Sequence, residues 1–126
     1  HGIPKSYFDK GDPYHCYCHK TTRLISEKMP EIKIKTTFQS RFGPQEWLQP
    51  YTDKTLDNLP NQNIKNVLVV CPGFASDCVE TLEEINIQAK HNFLKNGGKN
   101  FDLIPCLNDS SDHINLFETL VKKYLV

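Results

Sequence analysis

Apolar and polar positions alternate along "IKIKTTF", residues 32 to 38, with β-branched residues between Ile34 and Phe38, which predicts a strand with one better-covered face. "NVLVVC", residues 66 to 71, is instead a continuous apolar run halted by Pro72 and Gly73. That pattern predicts a central parallel strand covered on both faces. "FDLIPC", residues 101 to 106, reads as a third strand whose Pro105 suits an edge or a strand end.

Helical spacing fills the gaps: Cys16 to Met29, a short helix after Thr52, a long one from Asp77 to about Lys95, and a last one from His113 to Leu125. The third is stopped by Asn96-Gly97-Gly98. In the last, Leu116, Phe117, Leu120, Val121 and Tyr124 form a stripe expected to face the core. Helices alternating with strands over connections long enough for crossovers predict an α/β fold with a mostly parallel sheet. Ligands in such sheets bind beyond the carboxyl ends of the strands. This directs attention to the loop after Phe38, to the turn Pro72 to Asp77, to the loop after Cys106, and to His1 if a strand ends just before it.

Length and charge narrow the classes. The 126 residues fit one domain, and 15 basic against 15 acidic residues leave no nucleic-acid footprint and no polybasic membrane surface. Five cysteines, an odd number with two in or beside predicted strands, make a disulfide framework a poor reading and point to a reducing compartment. No run approaches the roughly 18 apolar residues of a membrane span, and a soluble chain is expected. A start at His1-Gly2-Ile3-Pro4, with no element before it, suggests a piece of a longer protein.

The candidate chemistry centres on "CPGFASDCVETLEEI", residues 71 to 85. At about 100° per residue, Cys78, Leu82, Ile85, Ala89 and Phe93 share the sheet-facing stripe, so Leu82 is expected buried and Glu80 and Glu84 exposed, paired one turn apart. Spacing alone leaves two readings open. One is a solvated face with Asp77 as N-cap; the other is a carboxylate pair closed over by a second domain, serving as metal ligand and proton relay. In "HCYCH", His15 and His19 share a helical face while Cys16 and Cys18 diverge, and no second pair stands at zinc spacing, so these read as helix-start residues. Trp47, in the loop "GPQEWLQP", suits packing or the floor of a flat π-system, a role Phe74 could share. "CPGF" is no phosphate loop, and the chain has no Gly-x-Ser-x-Gly elbow.

Four strings together, "HGIPKSYFDKGDPY", "TFQSRFGPQEWLQPYTD", "CPGFASDCVETLEEI" and "IPCLND", resemble in order and spacing the C-terminal half of ferrochelatases. The resemblance implies a Rossmann-like, chelatase-type domain, one of two similar domains with porphyrin bound between them. Residues 1 to 126 would form the C-terminal one, lacking the N-terminal domain and the strand before His1. The activity implied is insertion of ferrous iron into protoporphyrin IX to form protohaem, with coproporphyrin III as a variant substrate. A non-catalytic metal- or tetrapyrrole-binding domain is the rival for the isolated piece, which is expected to be inactive alone.

By the same resemblance His1 and Glu80 form the combined metal and proton site, Glu84 continues it outward, and Trp47 and Phe74 line the porphyrin pocket. Asp77 lies in the same motif. Some family members carry histidine where Cys78 stands, and the helical stripe turns Cys78 toward the core, so it is left out of the ligands. Fe²⁺ is expected as substrate metal, with no [2Fe-2S] cluster, in a bacterial-type cytoplasmic enzyme at most peripherally associated with membrane.

Overall fold

The structure is a computed structural model and describes residues 1–125. Short helix α1 (Lys5–Asp9) precedes α2 (Tyr14–Lys28), whose first N–H, that of Tyr14, is taken up by the Asp12 carboxylate at 2.8 Å. A long loop leads to α3 (Thr52–Asn58) and a 3₁₀ turn (Leu59–Gln62). Strand β1 (Asn66–Val69), a π-helix (Glu80–Ala89) running into α4 (Lys90–Lys95), strand β2 (Asn100–Leu103) and α5 (Ser111–Lys122) complete the chain. The fold is α/β: β1 and β2 pair in parallel with Val67 opposite Phe101 and Val69 opposite Leu103, joined by the helical crossover that parallel pairing requires.

The core lies between this sheet and the crossover. Leu56, Cys71, Ile85, Phe93 and Phe101 are buried together, with Val67, Val69, Ala89 and Leu103 packed against them. The expected stop after α4 is a Schellman motif: Gly97 takes φ +96°, its N–H donates to Leu94 O, and the Gly98 N–H donates to Phe93 O at 2.9 Å. Only glycine fits at 98, because a Cβ there would sit 2.2 Å from the Phe93 ring.

Four expectations from the sequence are corrected. The segment 32 to 38 forms no strand, and its one bridge joins Phe38 to Tyr51. Alternation prepares a segment for pairing, and among the described residues no neighbouring strand completes a ladder with it. Strand β1 is covered on one face only: Val67 and Val69 point to the core while Leu68 is 63% exposed. The stripe on α5 does not face this core either. Leu116, Phe117, Leu120, Val121 and Tyr124 are all exposed, and His113 is the buried residue of that helix. A two-stranded sheet has no room for a second covering layer.

The fourth correction concerns Leu82, which is 49% exposed, while Thr81 is fully buried. The assumed period was that of an α-helix, whereas the hydrogen bonds over Glu80–Ala89 run i to i+5. In the wider turn residues three apart diverge and residues four apart stay together. The buried line is therefore Thr81, Ile85, Ala89 and Phe93, and Leu82 rotates off it.

Candidate functional site

The carboxyl end of β1 meets the start of the chain. The His1 ring lies between Trp47, at 6.0 Å between ring centroids, and Phe74, at 6.2 Å. Its backbone is held by the Tyr14 hydroxyl, which donates to His1 O at 2.7 Å, and by the Gly2 N–H, which donates to Gln39 O at 2.8 Å. Gly2 allows this close approach, since a Cβ would press on Gln39 O and the Trp47 ring, both at 3.3 Å. His1 Nδ1 is 2.6 Å from Gly2 O, a carbonyl that can only accept, so Nδ1 carries the proton. In the neutral ring Nε2 is then the proton acceptor.

Trp47 is buried, stacked obliquely on the exposed Phe42 at 5.1 Å, and its indole Nε1 has no hydrogen-bond partner. Its burial meets the packing reading of this residue. Phe74 is half-buried against the core. The predicted aromatic pair thus flanks His1 from two different loops.

Glu80 and Glu84 are half-buried rather than exposed, which corrects the expectation of a carboxylate pair turned fully to water. The wide turn brings each closer, around the axis, to the buried residue next in the chain, Thr81 or Ile85. The Glu80 carbonyl accepts from Gln39 Nε2 at 2.8 Å. Its carboxyl is held below the usual range, chiefly by the neighbouring Cys78 thiol. Cys78, which the helical stripe alone would turn to the core, is half-buried in the turn that leads into Glu80.

Glu84 is tied to the loop after Phe38. Its Oε1 accepts from the Ser40 N–H at 2.8 Å, and its Oε2 accepts from the Ser40 hydroxyl at 2.5 Å and from Gln39 Nε2 at 3.4 Å. Ser40 has φ +66°, a left-handed conformation that costs a serine roughly 1–3 kcal/mol and is held in place by these bonds. A cleft of about 460 Å³ opens on this outer side, lined by Gln39, Ser40, Arg41, Asp53, Glu84 and Gln88 among others. His1, Trp47, Phe74 and Glu80 do not line it. Gln39 connects the two regions, its carbonyl taking the Gly2 N–H beside His1 and its Nε2 reaching the Glu80 carbonyl and, at 3.4 Å, Glu84.

Gln39, Ser40 and Asn108 were not among the candidate residues, although the first two lie in "TFQSRFGPQEWLQPYTD" and the third in "IPCLND". All three lie in loops after strand-like segments, where ligand-binding residues collect, and that position was the available signal. Asp77 receives the Asn108 side-chain N–H at 2.9 Å and the Thr81 hydroxyl at 2.9 Å, and the Asn108 bond leads the causes that hold its carboxyl below the usual range.

The "HCYCH" histidines share a face as expected, with ring centroids 4.4 Å apart, and pack on Phe8 and Phe38. Burial, with the charge of His19, pushes the His15 pKa down. Among the described residues no group of three or more His, Cys, Asp or Glu side chains is placed to hold a metal ion. Burial pushes the thiols of Cys71 and Cys106 up to about 11, which leaves both protonated near neutral pH and poor nucleophiles.

Comparison with known proteins decides the family, for the ferrochelatase family model matches residues 1–125. The chain belongs to the ferrochelatase family. Among its relatives, the ferrochelatase of Francisella tularensis subsp. novicida (strain U112) is 54% identical over 127 residues, covering 98% of this chain and 38% of that protein. The ferrochelatase of Francisella tularensis subsp. tularensis (strain SCHU S4 / Schu 4) is likewise 54% identical, over 96% of this chain and 37% of its own length. The chain therefore spans a little over a third of the ferrochelatases it matches. Among the described residues no helix is long and apolar enough to cross a membrane.

Proposed function

We propose that this chain is the C-terminal domain of a ferrochelatase that inserts Fe²⁺ into protoporphyrin IX, and that the rest of the protein supplies the N-terminal domain and the opposite wall of the porphyrin cleft. The observation that carries this reading is the placement of the His1 ring near those of Trp47 and Phe74, with Gln39 bridging from the Gly2 N–H to the Glu80 carbonyl of the π-helix. The full domain is Rossmann-like. β1 pairs with β2, leaving its other edge without a strand partner among the described residues, and residues 32 to 38 likewise have no ladder partner there. The stretch preceding His1 in the longer protein enters between them as a parallel strand, ending where Gly2 already bonds to Gln39.

Metallation requires loss of two pyrrole protons and exchange of the iron's water ligands for ring nitrogens. His1 Nε2 accepts protons near neutral pH, and the lowered Glu80 carboxyl stays ionised to attract Fe²⁺ or pass a proton on. Glu84, with Ser40, continues this route toward the polar cleft, while Trp47 and Phe74 provide the apolar wall for the macrocycle. Iron is the substrate metal, and no [2Fe-2S] cluster takes part. The isolated chain is inactive because half the cleft is missing. The enzyme works in the cytoplasm, at most peripherally attached to membrane.

Coproporphyrin III is the second substrate reading, since the two porphyrins share the macrocycle that these residues address. The deciding experiment gives the full-length protein Fe²⁺ anaerobically with each porphyrin and tracks absorbance. Metalloporphyrin from one or both supports the enzyme. No product from either leaves a non-catalytic tetrapyrrole- or metal-binding domain as the surviving alternative.

A further inference from the structure

Every backbone and side-chain polar group of Asn108 is used, and three of its four bonds go to one short turn. Its N–H donates to Ala75 O at 3.0 Å, its Oδ1 accepts from the Asp77 N–H at 2.8 Å, and its Nδ2 donates to Asp77 Oδ2 at 2.9 Å. Its carbonyl accepts from His113 Nδ1 at 2.6 Å, which anchors the loop to the one buried residue of α5. Asn108 takes φ +49° to make these contacts, a conformation in which asparagine is better tolerated than most residues.

The other oxygen of Asp77 serves the helix. Oδ1 accepts from the Thr81 hydroxyl at 2.9 Å and from the Cys106 N–H at 3.3 Å. Thr81 Oγ1 in turn accepts from the Cys78 N–H at 3.0 Å, which occupies one of the donors left free at a helix start. Glu80 lies inside this loop of bonds, between Asp77 and the fully buried Thr81. From the opposite side its carbonyl is held by Gln39.

We propose that Asn108 and Asp77 form a positioning clamp that sets where the first turn of the π-helix, and with it Glu80, stands relative to His1. The inference rests on the iron-insertion reading of the site. Neither residue reaches His1 or the Glu80 carboxylate by any hydrogen bond in the structure. Their action is through backbone placement, where a displacement of about 1 Å can change turnover on the order of a hundredfold.

The hydrogen-bond pattern suggests its own test. Asn108→Asp sets two carboxylates against each other, and Asp77→Asn leaves one oxygen where two accept, so it serves either Asn108 Nδ2 or the Thr81 and Cys106 donors and each single change costs the clamp at least one bond. The double exchange Asp77→Asn/Asn108→Asp restores the side-chain bond between positions 77 and 108 with donor and acceptor reversed. It also leaves one oxygen at 77 for Thr81 and Cys106, and one at 108 for the backbone N–H of 77.

In the full-length protein, iron insertion and hydrogen exchange of the amides from 78 to 84 are measured for wild type, both single variants and the exchange. The clamp predicts a kcat about tenfold lower or more in each single variant, a porphyrin KM changed less than about threefold, and recovery of both kcat and amide protection in the exchange. Single variants that keep kcat within about twofold of wild type overturn it. So does an exchange variant whose amides are protected as in wild type while kcat stays low. If wild type itself inserts no iron, the functional reading fails, and the clamp is judged on exchange rates alone. Faster exchange in the single variants, reversed in the double, supports it, and unchanged rates refute it.

Discussion

Replacing Glu84 by alanine removes the group that joins the loop after Phe38 to the π-helix. The structure gives the carboxylate two short bonds, both to Ser40, and a third, longer one to Gln39. Hydrogen bonds to a charged group contribute about 1.5–3 kcal/mol each when well formed. Both strong bonds order the same residue, and Glu84 is only half-buried, so water replaces part of what is lost. The net local loss is therefore about 2–3 kcal/mol, roughly the contribution of one such bond rather than two. Apart from these bonds, the left-handed turn at Ser40 is tied to the helix through the neighbouring Gln39, whose Nε2 donates to the Glu80 carbonyl and to Ser40 Oγ. Amide hydrogen exchange reads this directly. Every 1.4 kcal/mol is about tenfold in an opening equilibrium, so the Ser40 amide should exchange about 30- to 150-fold faster in Glu84→Ala. Ser40→Ala, which keeps the N–H bond and removes the hydroxyl, should show a smaller increase. An exchange rate within about threefold of wild type in Glu84→Ala would show that the carboxylate does not hold the loop, and the relay assigned to Glu84 and Ser40 would lose its geometric basis.

Three further outcomes are expected. His1→Ala and Glu80→Ala should each abolish iron insertion by the full-length protein while denaturant unfolding stays cooperative; near-normal turnover in both would mean the wrong residues were chosen. Gly98→Ala should destabilise by about 1–3 kcal/mol in chemical denaturation, because the added Cβ meets the fully buried Phe93 ring and that ring is packed on Phe101. The Arg41 guanidinium, bonded through both nitrogens to Asp53 at 2.6 and 2.9 Å, holds the Asp53 carboxyl below its ordinary value of 3.8. A depressed carboxyl stabilises the fold above its unfolded pKa and loses that contribution as pH falls through the folded value, so the window lies below about pH 4. With the pair half exposed, Arg41→Ala should cost about 0.5 kcal/mol at about pH 6, and the difference from wild type should shrink toward about pH 3 in paired urea titrations.

Much of this molecule is local in origin and was legible in the chain. The apolar run at Val67 to Val69, the Asn96-Gly97-Gly98 stop and the crossover between two parallel strands depend on residues close in sequence, and each formed where its pattern placed it. The family strings placed His1, Trp47 and Phe74 at one site for a similar reason: turn residues at the ends of strand-like segments leave the chain few directions in which to continue. The period of the Glu80 helix was not legible. An α-helix and a π-helix draw on the same residue types, and the choice depends on what the helix packs against, here Gln39 and Ser40 on one side and Asp77 with Asn108 on the other. That choice moved Leu82 out of the core, brought in Thr81 and drew Glu80 and Glu84 partway under cover.

The sequence by itself determined most of the elements and their order, the family and the residue types available for proton and metal chemistry, because these depend on short-range pattern and on motif spacing. Tertiary structure decided which faces are covered. Segment 32 to 38 and the α5 stripe carry patterns suited to burial, yet a strand needs a neighbour and an apolar stripe needs a surface, and within the described residues neither has one. It also decided how the carboxylates opening the π-helix are held, since bonds spanning 31 to 45 positions in the chain can be set only by the folded backbone.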